Sequence, residues 1–511
     1  MNGFINESVV LAYYIEQMEA DNITFLVGKT KEKKEIERLI LKIEAMEDIH
    51  QKIIVSKDLW KLLFEMSMSS IMPDKRGYDS IFNYFDAYVD FEELIFASDS
   101  FYRDHTLHCL WVYFLGEFLY NKPEFKRTFK YLHSESASIF EIRKLFGGMS
   151  RLQNLDRLTT VLDNLITVLK QSDATRCLLS LTHDLGYPLK KIKKVNSCIS
   201  KILPYFSIRD YDEFNFAYAN EQLSTIESFY DFLSHDIAVE FGVGSGPKCM
   251  SKFMSKVDGK EIIDHEGMEN LTDEEIKEVE DFLQPKMRLV KDEARAYRMK
   301  HDFENYEHGI MSAFILYKEL EGVKMIKRTV GDRQNLDISQ FDYDKMVSLS
   351  QIFIGIADHT SKSYKINSLG TPSSFLILID ELEEFSRISR ANQNRQYISE
   401  LCKSAIYMEE DLFCVDFVFD NEDIPNVDPE FAFKGRCKKM LSIFDIPNLD
   451  KDLKIRLQCI DKLFGADKHY TLEIRHCHAR VLIDGVEQDI PKYLKSREYY
   501  TSEEYNSFAT A

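Results

Sequence analysis

Glycine and proline are scarce in this sequence, 20 and 11 among 511 residues. That leaves little room for tight turns and suits a mostly helical protein. No run of about 18 apolar residues occurs, so no transmembrane helix is expected. The opening MNGFINESVVLAYYIEQ lacks a basic stretch, an apolar core and a small-residue cleavage site, and a secretory signal is not expected either. The nine cysteines form no CxxC pair, and their odd number argues against a disulfide framework. Reduced cysteines in a cytoplasmic protein are the expectation. Basic residues are outnumbered, 65 against 85, for a net charge of −20. Such a surface repels a nucleic-acid duplex. It does not exclude a small phosphate, because a bound divalent ion reverses the field at its own site.

What is present reads first as helix. In LQNLDRLTTVLDNLITVLKQ, Leu152, Leu155, Leu158, Val161, Leu162, Leu165, Val168 and Leu169 fall at three- and four-residue spacing. Similar stripes cover residues 30–47, 107–120, 218–233, 274–283 and 375–388. The expected fold class is mainly α, in three regions. Residues 1–95 form an N-terminal helical region. Residues 96–405 form a helical core carrying a helical insertion at about 190–300, and residues 406–511 a small C-terminal α+β domain. In that last region LFCVDFVFD and YTLEIRHCHARVLIDG read as strands, while KGRCKKMLSIF and DKDLKIRLQCIDKLF read as helices.

Thirteen histidines are present, and four stand at the ends of apolar helices. His105 opens one in YRDHTLHCLWVYFLG; His183, with Asp184, closes RCLLSLTHDLGYP. His308 opens YEHGIMSAFILYKEL, and His359 follows IFIGIADHT. Asp380 lies in SSFLILIDELEEFSR, where a carboxylate among Phe375, Leu376, Ile377, Leu378 and Ile379 is costly to bury without a partner. A metal ion would be such a partner, and imidazole with carboxylate suits Mn, Fe, Zn, Ni or Co. A lone histidine on an apolar helix is ordinarily a satisfied core residue; the ordered set carries the metal reading. His108, one turn after His105, reads as lying behind the ligands or in the core. His235-Asp236 and His301-Asp302 are decoys, the first lacking a following Gly and Pro, the second on a charged segment. Asp358 reads as a surface or capping residue, and His476 and His478 as structural residues alternating on a strand.

The order H…HD…H…H…D resembles the HD-domain superfamily of metal-dependent phosphohydrolases. RDHTLH is similar to its first motif and HDLGYP to its second, HDxGxP; EHGxxSA and PxxFLLxxDELxExxR resemble a bacterial branch of it. The resemblance covers roughly residues 100–190 and 300–400. It implies hydrolysis of a phosphomonoester or phosphodiester, frequently of a nucleotide, at one or two divalent ions (Mg included) held by His105, His183, Asp184, His308, His359 and Asp380. A mononuclear site needs only His105, His183, Asp184 and Asp380; His308 and His359 would serve a second ion bridged by Asp184, or act as general acid or phosphate contact. Asp184, His308 and Arg387 are the candidate catalytic residues. Arg387 is expected two helical turns beyond Asp380, on the same face, where its fork could grip a phosphate. Lys190, Lys191, Lys193, Lys194 and Lys362 are further candidate phosphate contacts; Arg103 reads as pairing with a local acid and GVGSGPK as a flexible turn.

HDLGYP looks closest to the corresponding stretch of deoxynucleotide triphosphohydrolases, but Tyr187 stands where they have histidine. The expected substrate is a nucleotide, most simply a (deoxy)nucleoside triphosphate. Cyclic-nucleotide or other phosphodiester hydrolysis, a di-iron oxygenase resembling myo-inositol oxygenase, and a catalytically silent nucleotide-sensing module are the alternatives. A homo-oligomer is the expected assembly, with the C-terminal region supporting oligomerisation or regulation; no membrane partner is expected.

Overall fold

The computed structural model describes residues 3–96, 105–125, 127–129, 172–208, 212, 218–240, 246–257, 260–263, 265–283, 286–324, 336–337, 343–387 and 396–501. The expected stripe from Leu152 to Leu169, Arg103 and residues 242–245 of the glycine-rich stretch lie outside them.

Four helices build the N-terminal region: α1 (Glu7–Glu19), α2 (Thr30–Ala45), α3 (Ile49–Ile71) and α4 (Tyr78–Phe96). α5 (His105–Asn121) follows, and it is buried on every face from His105 to Leu119. A helix without a polar face can be stable only at the centre of a bundle. α6 (Asp173–Thr182) is buried throughout as well and packs against α3 and α5. Its one arginine is neutralised in place: Arg176 Nε and Nη2 donate to Glu117 at 2.6 and 2.9 Å, and its guanidinium lies 3.7 Å from the Tyr120 ring centroid. Ser172 caps α6 by accepting from Thr175 N–H at 3.1 Å.

The carbonyls at the C-terminal end of α6, which a helix leaves without partners, are taken up by other elements. Trp60 of α3 donates to Leu181 O at 2.7 Å, Ser312 Oγ donates to His183 O at 2.7 Å, and Tyr84 donates to Leu185 O. This is what fixes the HDLGYP turn. α7 (Tyr187–Ile202) leaves it at once, with Pro188 in its first turn. Then come α8 (Leu223–Ser234), β1 (His235–Glu240), β2 (Met254–Val257), β3 (Lys260–Ile263), α9 (Asp273–Leu283), β4 (Lys286–Lys291) and α10 (Glu293–Glu304). The insertion is therefore not wholly helical. β1 pairs antiparallel with β4, His235 opposite Lys291, and β4 continues to β5 (Leu336–Asp337); β2 and β3 form a separate hairpin.

Three helices complete the core: α11 (His308–Glu319), α12 (Tyr343–Asp358) and α13 (Pro372–Leu382). α12 packs on α6, α11 and α13, and α5 packs on α6 and α13, so five helices meet around the end of α6. The C-terminal region holds six strands, β6 (Lys403–Glu409), β7 (Leu412–Phe419), β8 (Lys454–Asp461), β9 (Lys468–Arg475), β10 (His478–Ile483) and β11 (Val486–Gln488), in the spatial order β11-β10-β9-β8-β7-β6. Only β7 and β8 run parallel, joined through helix α14 (Pro429–Ile443), as a parallel pair requires a crossover. The α+β character is as expected, but KIRLQCID is strand β8 rather than helix. Its Ile455, Leu457 and Cys459 are buried in strict alternation. The sheet docks on the helical core through the Phe125, Phe129 and Phe413 rings and a bridge between Ile5 and Ser404. Among the described residues no helix is long and apolar enough to cross a membrane.

Candidate metal centre

Five chain segments converge on Asp184, which is 4% exposed. His183 and Asp184 come from the end of α6, His105 and His108 from α5, His308 from the first residue of α11, His359 from the residue after α12, and Asp380 from the last turns of α13. Two glycines make the approach possible. A Cβ on Gly186 would lie 2.3 Å from His308 O, and one on Gly309 would lie 2.4 Å from Ile356 O and 2.7 Å from His359 Nδ1. The glycines of HDLGYP and EHG thus let backbone pass close to backbone beside the histidines.

The two carboxylate oxygens of Asp184 face different histidines. Oδ2 lies 3.3 Å from His183 Nε2, 3.8 Å from His108 Nε2 and 4.0 Å from His105 Nε2. Oδ1 lies 3.1 Å from His308 Nε2 and 3.5 Å from His359 Nε2. Asp380 Oδ1 is 2.8 Å from His108 Nε2, and His108 Nε2 is 3.3 Å from His183 Nε2. Ligand atoms of His108, His183 and Asp380 come within 4.8 Å of one another, and so do those of Asp184, His308 and His359.

Hydrogen bonds behind the rings fix which nitrogen looks inward. His183 Nδ1 meets Ser180 O at 2.7 Å and His359 Nδ1 meets Ile356 O at 2.6 Å; a carbonyl only accepts, so both Nδ1 atoms carry the proton. His108 Nδ1 faces Glu383 Oε2 at 2.7 Å, and His105 Nδ1 faces Glu92 Oε2 at 2.8 Å. These carboxylates accept in the same sense. In the neutral form all four rings therefore turn an Nε2 lone pair toward Asp184, two of them 3.3 Å apart. Lone pairs and carboxylates packed together repel unless a cation lies among them, and carbonyls and carboxylates behind the rings are how metal-binding imidazoles are held. Without an ion, a proton can take its place between His183 and Asp184. Burial disfavours a charged His183, yet the Asp184 carboxylate outweighs it and holds the imidazole well above its ordinary value. Burial pushes the Asp184 carboxyl up, but His183 and the other imidazoles bring it well below the usual range. Burial lowers His308 to about 4, and its Nδ1 is buried with no hydrogen-bond partner. The residues present can hold a metal ion.

His108 is the residue the sequence reading undervalued: it, rather than His105, stands in the tight group with His183 and Asp380. The i, i+3 spacing of the two put them on one face of α5, and the deeper of the pair reaches Asp380. Glu92 and Glu383, the carboxylates behind the rings, were missed; Glu383 follows Asp380 by three residues. Cys109 Sγ is 3.9 Å from His183 Nδ1, the edge of the ring already committed to Ser180, and burial raises its thiol. It stands with His183 and Asp184 in a third such group, but not toward the Nε2 atoms.

Arg387 is not placed as expected. α13 ends at Leu382, so no continuous helix carries both it and Asp380. Instead Arg387 Nη2 donates to Asp380 O at 3.2 Å, capping the helix end between Glu381 and Glu384, each 3.7 Å away. Lys190 pairs with Glu307, Lys191 lies 4.5 Å from the centre of the Tyr187 ring, and Lys362 is exposed. Asp358 is neither a surface residue nor part of the cluster: it is 2% exposed, paired with Arg298 at 2.7 Å and accepting from Ser373 Oγ at 2.9 Å. His235 contacts Asp231 O and Asp236 pairs with Arg295, while His301 is exposed; neither HD pair joins the centre. His476 sits in the turn before β10 rather than on a strand with His478, its Nδ1 2.6 Å from Leu449 O.

The fold and site together define a mainly helical protein with a buried histidine–aspartate centre suited to a metal ion. The chain matches no family model, no curated protein and no solved structure.

Proposed function

We propose that this chain is a metal-dependent phosphohydrolase of the HD type acting on a nucleotide. The observation that carries the reading is the division of Asp184, one oxygen toward His183 and His108 and the other toward His308 and His359. That arrangement suits two ions sharing one carboxylate, with Asp380 completing the first set. Bound divalent ions would lower the pKa of water and neutralise phosphoryl oxygens, which is the chemistry phosphoester hydrolysis needs. The chain's own residues hold the frame: Glu383, Ser180 and Ile356 orient the rings, and Gly186 and Gly309 admit them. Asp380 and His308 are the more open members, with side chains 16% exposed each, so substrate would enter on their side. There the Tyr187 ring lies 4.0 Å from the His105 ring and 5.2 Å from that of His308, at the position where the triphosphohydrolases that HDLGYP resembles carry histidine. A nucleoside triphosphate is the substrate the HDLGYP resemblance favours.

The test is metal analysis followed by phosphate release across a panel of nucleotides, with Asp184→Asn alongside. The parent should carry divalent metal and release phosphate or pyrophosphate, and the variant should lose both. Metal-loaded protein that hydrolyses no nucleotide would overturn the reading; iron with oxygen uptake would assign an oxygenase, and tight nucleotide binding without turnover a sensor.

A further inference from the structure

Two segments that carry residues of the metal centre are gripped by the C-terminal region. In the loop after His359, Ile366 N–H donates to Ile443 O at 2.7 Å and Ile366 O accepts from Asp445 N–H at 2.9 Å. Asp450 N–H donates to Asn367 O at 2.7 Å, and Lys365 Nζ donates to Ser442 O. The second segment is the end of α13, where DELEE sets four carboxylates within five residues. Asp380 and Glu383 face His108. Glu381 and Glu384 are buried too, with side chains 9% and 5% exposed. The C-terminal end of a helix is a poor place for anions, because its carbonyls already present partial negative charge. Carboxylates crowded there push one another apart unless cations lie beside them. Arg387 is one such cation, and α14 supplies two more. Arg436 Nη2 lies 3.5 Å from Glu384 Oε1, and Lys439 Nζ lies 2.8 Å from Glu381 Oε1. The Arg436 side chain is only 14% exposed, and its guanidinium lies 3.9 Å from the centre of the Phe417 ring of β7. The sheet therefore fixes it from behind.

We propose that Arg436, assisted by Lys439, is a positioning residue for the metal centre. Through Glu384 and Glu381 it holds the end of α13 where Asp380 and Glu383 meet opposite nitrogens of His108. Among the described residues none from the C-terminal region joins the ligand groups, yet that region sets the place of two side chains that serve them. An ion pair that only joined two regions could fall anywhere along their contact. This one falls on the residues next to Asp380 and Glu383, and the backbone bonds at Ile366 and Asn367 secure the loop that leads from His359 into α13. The inference rests on the metal reading of the centre and is independent of the substrate.

The test loads the full chain with cobalt(II), whose visible absorption reports its ligands, and measures affinity by competition with a chelator. Arg436→Met keeps a long side chain over Phe417 and removes the charge. It should weaken binding about tenfold, the low end of the loss seen when partners behind metal ligands are changed, and alter the cobalt spectrum. Arg436→Lys should recover part of both. Arg456→Met is the control: Arg456 pairs with Glu409 at 2.8 Å on the face of the sheet opposite Phe417, and its loss should leave affinity and spectrum unchanged. If Arg436→Met does not fold, Lys439→Ser decides, since the Lys439 side chain is half exposed. That variant should weaken binding about 1.5–5-fold at low salt, and the difference should vanish at about 0.5 M salt. Variants at 436 and 439 that match a metal-binding parent would overturn this proposal alone, as would an equal loss in Arg456→Met. A parent that binds no metal would overturn the metal reading and this proposal together.

Discussion

Glu383→Gln tests whether the carboxylates behind the rings serve a metal. Glu383 is fully buried; its Oε2 accepts from His108 Nδ1 at 2.7 Å and Ser386 Oγ at 2.6 Å, and its Oε1 accepts from Ser386 N–H at 2.8 Å. Glutamine keeps the shape but turns one oxygen into a donor. If the amide nitrogen takes the Oε1 position, it meets the Ser386 N–H donor. If it takes the Oε2 position, His108 must accept on Nδ1, and its proton moves to Nε2, 2.8 Å from Asp380. The inward lone pair is then gone. Changing such a partner typically costs about 10–100-fold in metal affinity, or about 1.4–2.7 kcal/mol. Both amide orientations carry a penalty, so the upper half of that range is expected. Competition against a fluorescent chelator measures the affinity, and circular dichroism checks the fold. Glu92→Gln, behind His105, is the control: His105 lies outside the tight ligand groups, so its effect should be several-fold smaller. An unchanged affinity in Glu383→Gln, or a larger loss in Glu92→Gln, would refute the assignment of His108.

Three further outcomes follow from the packing. Gly309→Ala would push a methyl group against Ile356 O and His359 Nδ1, 2.4 and 2.7 Å from its ideal position; about 1–3 kcal/mol of stability should be lost, and metal stoichiometry should fall because His359 is unseated. Arg176→Ala leaves Glu117 buried without its charge partner, which should cost about 3–5 kcal/mol in denaturant unfolding; a loss below about 1 kcal/mol would mean water reaches Glu117. Stripping metal with a chelator should lower the melting temperature, since an ion present at about 100 times its Kd adds about 2.7 kcal/mol. An identical melting curve before and after stripping would speak against any resident ion.

The sequence shows its helices wherever one face is apolar, and it shows Asp380 because a carboxylate inside FLILID has no cheap place to go. It does not show which of His105 and His108 reaches deepest. Both lie on α5, whose buried surface is continuous around the helix, so periodicity gives no face to choose. Only the approach of α13 decides it, bringing Asp380 and Glu383 to opposite nitrogens of His108. The expected helical placement of Arg387 fails for the reverse reason: the two-turn argument assumes an unbroken helix, and α13 stops at Leu382, where Glu383 turns back to serve His108. In β8 the alternation of Ile455, Leu457 and Cys459 was legible, but lysines on either side made KDLKIRLQCIDK resemble an amphipathic helix. Pairing with β7 and β9 on both sides settles it as a central strand. Each error arises where a contact from a distant segment outweighs local pattern. The centre itself is such a place, since Asp184 draws its neighbours from residues 105 to 359. The ordered histidines survive as a signal because ligand chemistry restricts residue type even where local pattern leaves geometry open.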